Sequence, residues 1–297
     1  MRAMPRLLIH LSFLLAVGAI WGLTPAMAKL AMAEGMRPLG VATFAAAVAA
    51  VVLYAVAVAG GRAPPMDGRH VKQYAAGGIV GLSLAHLFAF TGLTRAPAGL
   101  FALLVPLSAL FTVVFFALAG VERATRRGLA GAATGMAGVA LAMAPGAALP
   151  DPALLPWAAL MVLTPVCYSL SNLFSVRYAV AGTSPLAQAS GTVIFAALGA
   201  AALALPLGHL GLPPSLAIGA LLVAQGVLTA IAYLLYFRLL VGAGGVFTSQ
   251  VSYLITLMGL LWGFLLFAEV PGPLTIPAAM LIFAGVALVT LEKRARG

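Results

Sequence analysis

Five stretches of this chain set polar and aromatic side chains at helical spacing inside otherwise apolar runs. The first holds Trp21, Thr24 and Ala28, the second Ser83, His86 and Phe90, and the third Tyr168, Ser171, Asn172 and Ser175. The fourth holds Gln225, Thr229, Tyr233 and Phe237, and the fifth Gln250 and Tyr253 with Ser249 beside them. Residues three, four and seven apart share one face of a helix, so each set forms a stripe. The stripes offer aromatic walls, one imidazole and neutral hydrogen-bonding groups, which is the chemistry of holding a small molecule. They do not offer the chemistry of bond-making. No nucleophile–base–acid set, HExxH, paired acids or glycine-rich phosphate loop occurs. The one cysteine, Cys167, lies inside an apolar run and leaves neither a disulfide nor a multi-cysteine metal site, so no cofactor or metal is expected.

Each of these residues also has a plainer role open to it. A hydroxyl in a helix commonly bonds its own backbone four residues back, and for Thr24, Ser83 and Thr229 that role stands beside a lining one. Asn172 can line a cavity or bond a neighbouring helix. Tyr54, Tyr74 and Trp157, near run ends, suit a membrane interface, whereas Trp21 and Tyr168 lie mid-run and suit a cavity wall. His86 is the only histidine well inside a run, which makes it the candidate site for a proton in transit.

The elements that position these stripes follow from composition. The 297 residues are 63% hydrophobic and 7% charged, with mean hydropathy +1.13. Soluble domains carry about 25% charged residues, so the surroundings must be lipid. About 20 apolar residues cross a bilayer. On that measure ten spans are expected, near 7–31, 36–59, 73–92, 97–120, 128–146, 153–180, 184–206, 215–240, 244–268 and 273–291. Arg2 and Arg6 before the first run imitate a secretory signal, but the run continues to Ala31 and reads as an uncleaved first span. With the N-terminus inside, 13 of the 16 Lys and Arg residues fall on the inner side, leaving Lys29, Arg37 and Arg95 outside. This bias predicts that both termini are cytoplasmic. The net charge of +10 is spread through loops without an aromatic-interleaved stripe, so no nucleic-acid partner is expected. All six acids lie in loops or at span ends, leaving no carboxylate in mid-span as an ion carrier.

The chain also repeats itself. Adding 147 carries Trp21 to Tyr168, Pro38-Leu39 to Pro185-Leu186, His86 to Tyr233, Phe90 to Phe237 and Glu122 to Glu269. The same step carries Ala137-Gly138-Val139-Ala140-Leu141 onto Ala284-Gly285-Val286-Ala287-Leu288. Five spans per copy is an odd number, so the second copy must enter the membrane from the opposite side, as in many secondary transporters. The fold expected is therefore an all-α membrane protein of two inverted five-helix repeats, 1–146 and 147–297, forming one body. Small-residue stripes on the fifth span (Gly128, Gly131, Gly135, Gly138) and the tenth (Ala278, Gly285) could dock each helix on its own repeat or mediate a dimer. Monomer and homodimer both stay open. Pro25, Pro106, Pro165 and Pro277 lie within spans and free a carbonyl four residues earlier, tolerable where a neighbour or cavity water satisfies it.

Five-plus-five inverted repeats, Trp21-Gly22 with Lys29 eight residues after the tryptophan, and Glu122 and Glu269 after the fourth and ninth spans together resemble the drug/metabolite transporter superfamily. The similarity covers the whole chain and is greatest to its EamA-type ten-helix branch. It implies a basket that opens alternately inward and outward in an inner membrane, with the fifth and tenth helices peripheral. It also implies export of metabolites, often amino acids. Aromatic or neutral amino acids suit the side chains here. The expected binding set is Trp21, Thr24, Ser83, His86, Phe90, Tyr168, Ser171, Asn172, Gln225, Tyr233, Phe237, Gln250 and Tyr253, with Lys29 as a candidate contact for a substrate carboxylate. Lipophilic cations or nucleobases are the alternative cargo, and a non-transporting scaffold or lipid-binding protein the alternative of another class. In the second repeat Val176 stands where Lys29 would fall and Ser169 opposite Gly22, so that signature is degraded.

Overall fold

The helices coincide closely with the apolar runs, and where they differ a cap decides the boundary. The computed structural model describes residues 3–121, 125–144, 149, 151–243, 245–248 and 250–294; Glu122 and Ser249, singled out above, lie outside these. In chain order the helices are α1 (Ala3–Ala33), α2 (Pro38–Ala59), α3 (Gly68–Leu93), α4 (Ala98–Leu118) and α5 (Arg126–Ala142). After them come α6 (Pro152–Arg177), α7 (Pro185–Ala204), α8 (Leu216–Ala243), α9 (Val251–Phe267) and α10 (Thr275–Arg294). A short helical turn, Gly245–Thr248, precedes α9. Every regular element among the described residues is helical. Seven helices, α1 to α4 and α6 to α8, are long and apolar enough to cross a bilayer. Val251–Phe267 and Thr275–Leu288 are shorter apolar helices.

The boundaries follow from terminal backbone groups that need partners. α3 begins before its apolar run because Asp67 caps it, accepting from the Arg69 and His70 amides at 3.0 and 3.3 Å. Thr125, Ser184 and Ser215 cap α5, α7 and α8 in the same way. Pro38 and Pro185, matched by the 147-residue step, both occupy the first position of their helix, where a missing N–H costs nothing. Inside α4, Pro106 frees the Ala102 carbonyl, and Thr256 of α9 donates to it at 2.9 Å. The sequence expectation that a neighbour would satisfy a proline-freed carbonyl is met there by a named hydroxyl.

Packing respects the repeat. α2 lies against α7 and α5 against α10, each helix on its own counterpart. α1 packs chiefly on α8 and α9, and its counterpart α6 packs on α3 and α4. The halves are thus interleaved, each sending its first helix into the other. The small-residue stripes explain the α5–α10 contact: a Cβ on Gly138 would come 2.8 Å from the Ala278 carbonyl, and one on Gly285 would come 2.5 Å from that of Gly131. These stripes therefore join the two halves, a role that neither alternative above had named, while α5 also packs on α4 of its own repeat. Gly135 touches both halves: a Cβ on it would meet Leu110 of α4, and one on Gly285 would come 2.6 Å from its amide.

Candidate functional site

Where α1, α2, α3, α7 and α8 meet, a cavity lies among Thr24, His86, Phe90, Gln225, Thr229 and Tyr233. Ala42, Ala45 and Ala46 of α2, with Val193 and Ala196 of α7, complete its wall with small side chains. The position of His86 depends on a local irregularity, because residues Ala76–Leu84 of α3 form a π-helix and His86 follows directly. Such wider turns re-aim the side chains after them and are frequent at functional sites. Close packing imposes this one: a Cβ on Gly78 would come 2.6 Å from the Ala196 amide of α7. The Ser83 hydroxyl lies 2.8 Å from the Ala196 carbonyl and 3.2 Å from that of Gly78 and donates between them, tying the stretch to α7.

The aromatic side chains form two groups, of which His86, Phe90 and Tyr233 line the cavity while Trp21, Tyr236 and Phe237 pack on Tyr233 and on one another. His86 stacks on Phe90 with ring centroids 4.7 Å apart and planes 11° from parallel. Trp21 meets Tyr233 edge-on at 5.3 Å and Tyr236 at 5.1 Å, and Phe237 meets Tyr236 edge-on at 5.4 Å. Tilted and edge-to-face pairs of this kind gain energy beyond their buried area. Tyr236 was not in the expected set; its spacing of three from Tyr233 was the available signal.

The polar groups divide into engaged and free. Thr24 back-bonds to the Ile20 carbonyl at 3.1 Å while lining the cavity, so both roles left open for it coexist. Gln225 is 2% exposed, and its Oε1 is enclosed without a hydrogen-bond partner. An unpaired buried amide oxygen costs about 1–3 kcal/mol, so it calls for a donor that enters the cavity. The His86 imidazole likewise has no hydrogen-bond partner among the described residues. Water centres can occupy about 20 Å³ of the cavity. That is room for roughly one or two waters and far less than a metabolite needs.

Other expected residues lie elsewhere. Ser83 is fully buried and ties α3 to α7. Ser171 of α6 sits against Gly81 of α3, where a Cβ would come 2.5 Å from its hydroxyl. Asn172 is exposed and donates to Thr112 of α4 at 3.4 Å. Tyr168, partly buried on α6, lies nearer the site, close enough to Tyr233 to interact with it electrostatically. Gln250 occupies the N-cap position of α9. Tyr253 meets Phe283 of α10 edge-on at 5.1 Å, turned toward the α9–α10 contact. Lys29, offered to a substrate carboxylate, already holds one: its Nζ lies 2.6 Å from Glu269 Oε1.

Comparison with known proteins gives the frame for this geometry. The model of the EamA-like transporter family matches the chain twice, over residues 8–144 and 155–291, and the two matches stand 147 residues apart, the step of the internal repeat. The chain belongs to the EamA-like transporter family. A crystal structure of a protein with 22% sequence identity is similar over 96% of this chain and 98% of its own, with a TM-score of 0.62. That likeness supports the fold. No curated protein matches.

Proposed function

We propose that the protein exports neutral or aromatic amino acids and related small metabolites across an inner membrane by alternating access. In this reading all ten helices cross the bilayer, both termini are cytoplasmic, and residues 1–146 and 147–297 are the two inverted halves of one transport body. The observation that carries it is the cavity in which Gln225 Oε1 lacks a hydrogen-bond partner beside the stacked rings of His86 and Phe90. Cargo would enter with its ring among Trp21, Phe90 and Tyr233 and give an N–H to Gln225. His86 is the one imidazole placed to accept a proton during the cycle.

A second reading, export of nucleobases, has one observation in its favour. The cavity lining is uncharged, and the nearest candidate for a carboxylate, Lys29, is already paired. Flux of labelled phenylalanine and tryptophan in proteoliposomes of purified protein, with and without a pH gradient, tests both. Saturable flux reduced by Gln225→Leu supports the amino-acid reading, and gradient dependence lost in His86→Gln assigns the proton to that ring. No amino-acid flux from inserted protein, with competition-sensitive uracil or adenine flux instead, would overturn it in favour of nucleobases.

A further inference from the structure

At one end of the bundle a single carboxylate joins three elements. α9 ends at Phe267, and Ala268 adopts a left-handed conformation, φ 51°, with its amide bonded to the Phe264 carbonyl at 3.0 Å. A non-glycine residue there is uncommon and carries a small strain. The turn swings Glu269 back across the end of its own helix, its amide reaching the Gly263 carbonyl at 3.2 Å. Its carboxylate then accepts from the Ala98 amide through Oε1 and the Gly99 amide through Oε2, each at 2.9 Å. Those are the first two residues of α4, whose N-cap residue, Pro97, provides no side-chain bond. A carboxylate at a helix start satisfies unpaired amides and meets the positive end of the helix dipole. Lys29, near the end of α1, completes the knot at 2.6 Å from Glu269 Oε1 and lies over the Phe267 ring at 4.7 Å. The space for it is reserved by glycine: a Cβ on Gly263 would come 2.7 Å from Glu269 Oε2.

Three elements that meet at this end, α1, α4 and the α9–α10 connection, are thereby held by one group. The 147-residue step does not repeat the cation of the knot. Lys29 maps to Val176, which is 55% exposed. No side chain at that register can supply the cation.

We infer that the Lys29–Glu269–α4 knot is the outer gate of the transport path, so that without cargo the protein rests closed to the outside. The sidedness rests on the orientation given under the proposed function; the gate itself does not depend on the cargo. Both members of the ion pair fall on the outer side in the charge sorting, although 240 residues separate them. A contact made in only one state biases the equilibrium toward that state by its own free energy.

The test reads access to the cavity without any substrate. In full-length protein with Cys167→Ala, Ala46→Cys places one thiol on the cavity wall, and a membrane-impermeant maleimide is added to intact cells or, separately, to inverted vesicles. Lys29→Met and Glu269→Gln should each speed labelling from outside about tenfold or more, as expected when charge-assisted bonds are lost, while Lys29→Arg should label as slowly as the parent. Glu269→Gln keeps the side-chain volume and carries the test if Lys29→Met fails to insert. Unchanged outside labelling in an inserted variant overturns the gate. Faster labelling confined to inverted vesicles overturns its outer placement, and either failure leaves the amino-acid reading to be judged by flux.

Discussion

The cavity and the Lys29–Glu269 knot are both polar sites in an apolar protein, yet they treat their polar atoms in opposite ways. At the knot every acceptor contact of Glu269 is made within the chain, by one ammonium and two amides. In the cavity Gln225 Oε1 is left unmade. A satisfied buried group contributes to stability, whereas an unsatisfied one costs stability and gains only when a ligand supplies the partner. The contrast sorts residues by what their removal should do. Knot residues are needed to hold a shape, cavity residues to hold something else.

Removing the knot should have the largest effect on stability. Glu269→Ala strands a partly covered lysine and two helix-start amides, an expected loss of about 2 kcal/mol, between exposed and buried ion pairs. A lowered midpoint of thermal unfolding in detergent would show it, and an unchanged midpoint would erase the contrast. Gln225→Leu should do the reverse, cutting transport about tenfold while leaving stability equal or raised by about 1 kcal/mol, because an unpaired buried oxygen disappears. Loss of both together would make Gln225 a structural residue. Ser83 sharpens the comparison from within the expected binding set. Its hydroxyl is paired to Ala196, so Ser83→Ala should cost about 1 kcal/mol and leave substrate affinity unchanged in equilibrium binding.

The smallest effect expected lies at the start of α3, outside the membrane. Its bond from the His70 side chain, with the amides it caps, holds the Asp67 carboxyl below its usual range. A lowered carboxyl value contributes stability that is fully present above the unfolded value, about pH 4, and is lost as pH falls through the folded one. Amide exchange at Arg69 and His70 should therefore quicken at pH values under about 4, and Asp67→Ala should show the faster exchange at neutral pH as well.

Much of the architecture was legible because lipid constrains sequence so heavily. Helix positions followed from apolar length, and the 147-residue step reappears in which helices touch and in the doubled family match. The cavity was legible in part. Thr24, His86, Phe90, Gln225 and Tyr233 share it as the stripes implied, but helical spacing states that residues share a face and not which way the face turns. Tyr253 turns toward α10, and Asn172 pairs with Thr112 outside the cavity. The π-helical stretch left no periodic signature, since it arises where Gly77 and Gly78 press against α7. The partner of Lys29 was hidden for a different reason, because nothing local in a sequence connects a lysine to a glutamate 240 residues on.

The interleaving of the halves has a consequence for how the chain is made. α1 leaves the ribosome well before α8 and α9, the helices it packs on most. Until they arrive, Trp21 lacks Tyr233 and Tyr236, and Lys29 must wait in the bilayer without its carboxylate. Contacts between distant parts of a chain close slowly. The first half therefore cannot complete its packing by itself, and a ribosome that stalls midway leaves α1 with its chief packing partners missing, a state that a membrane protease could distinguish from the finished transporter.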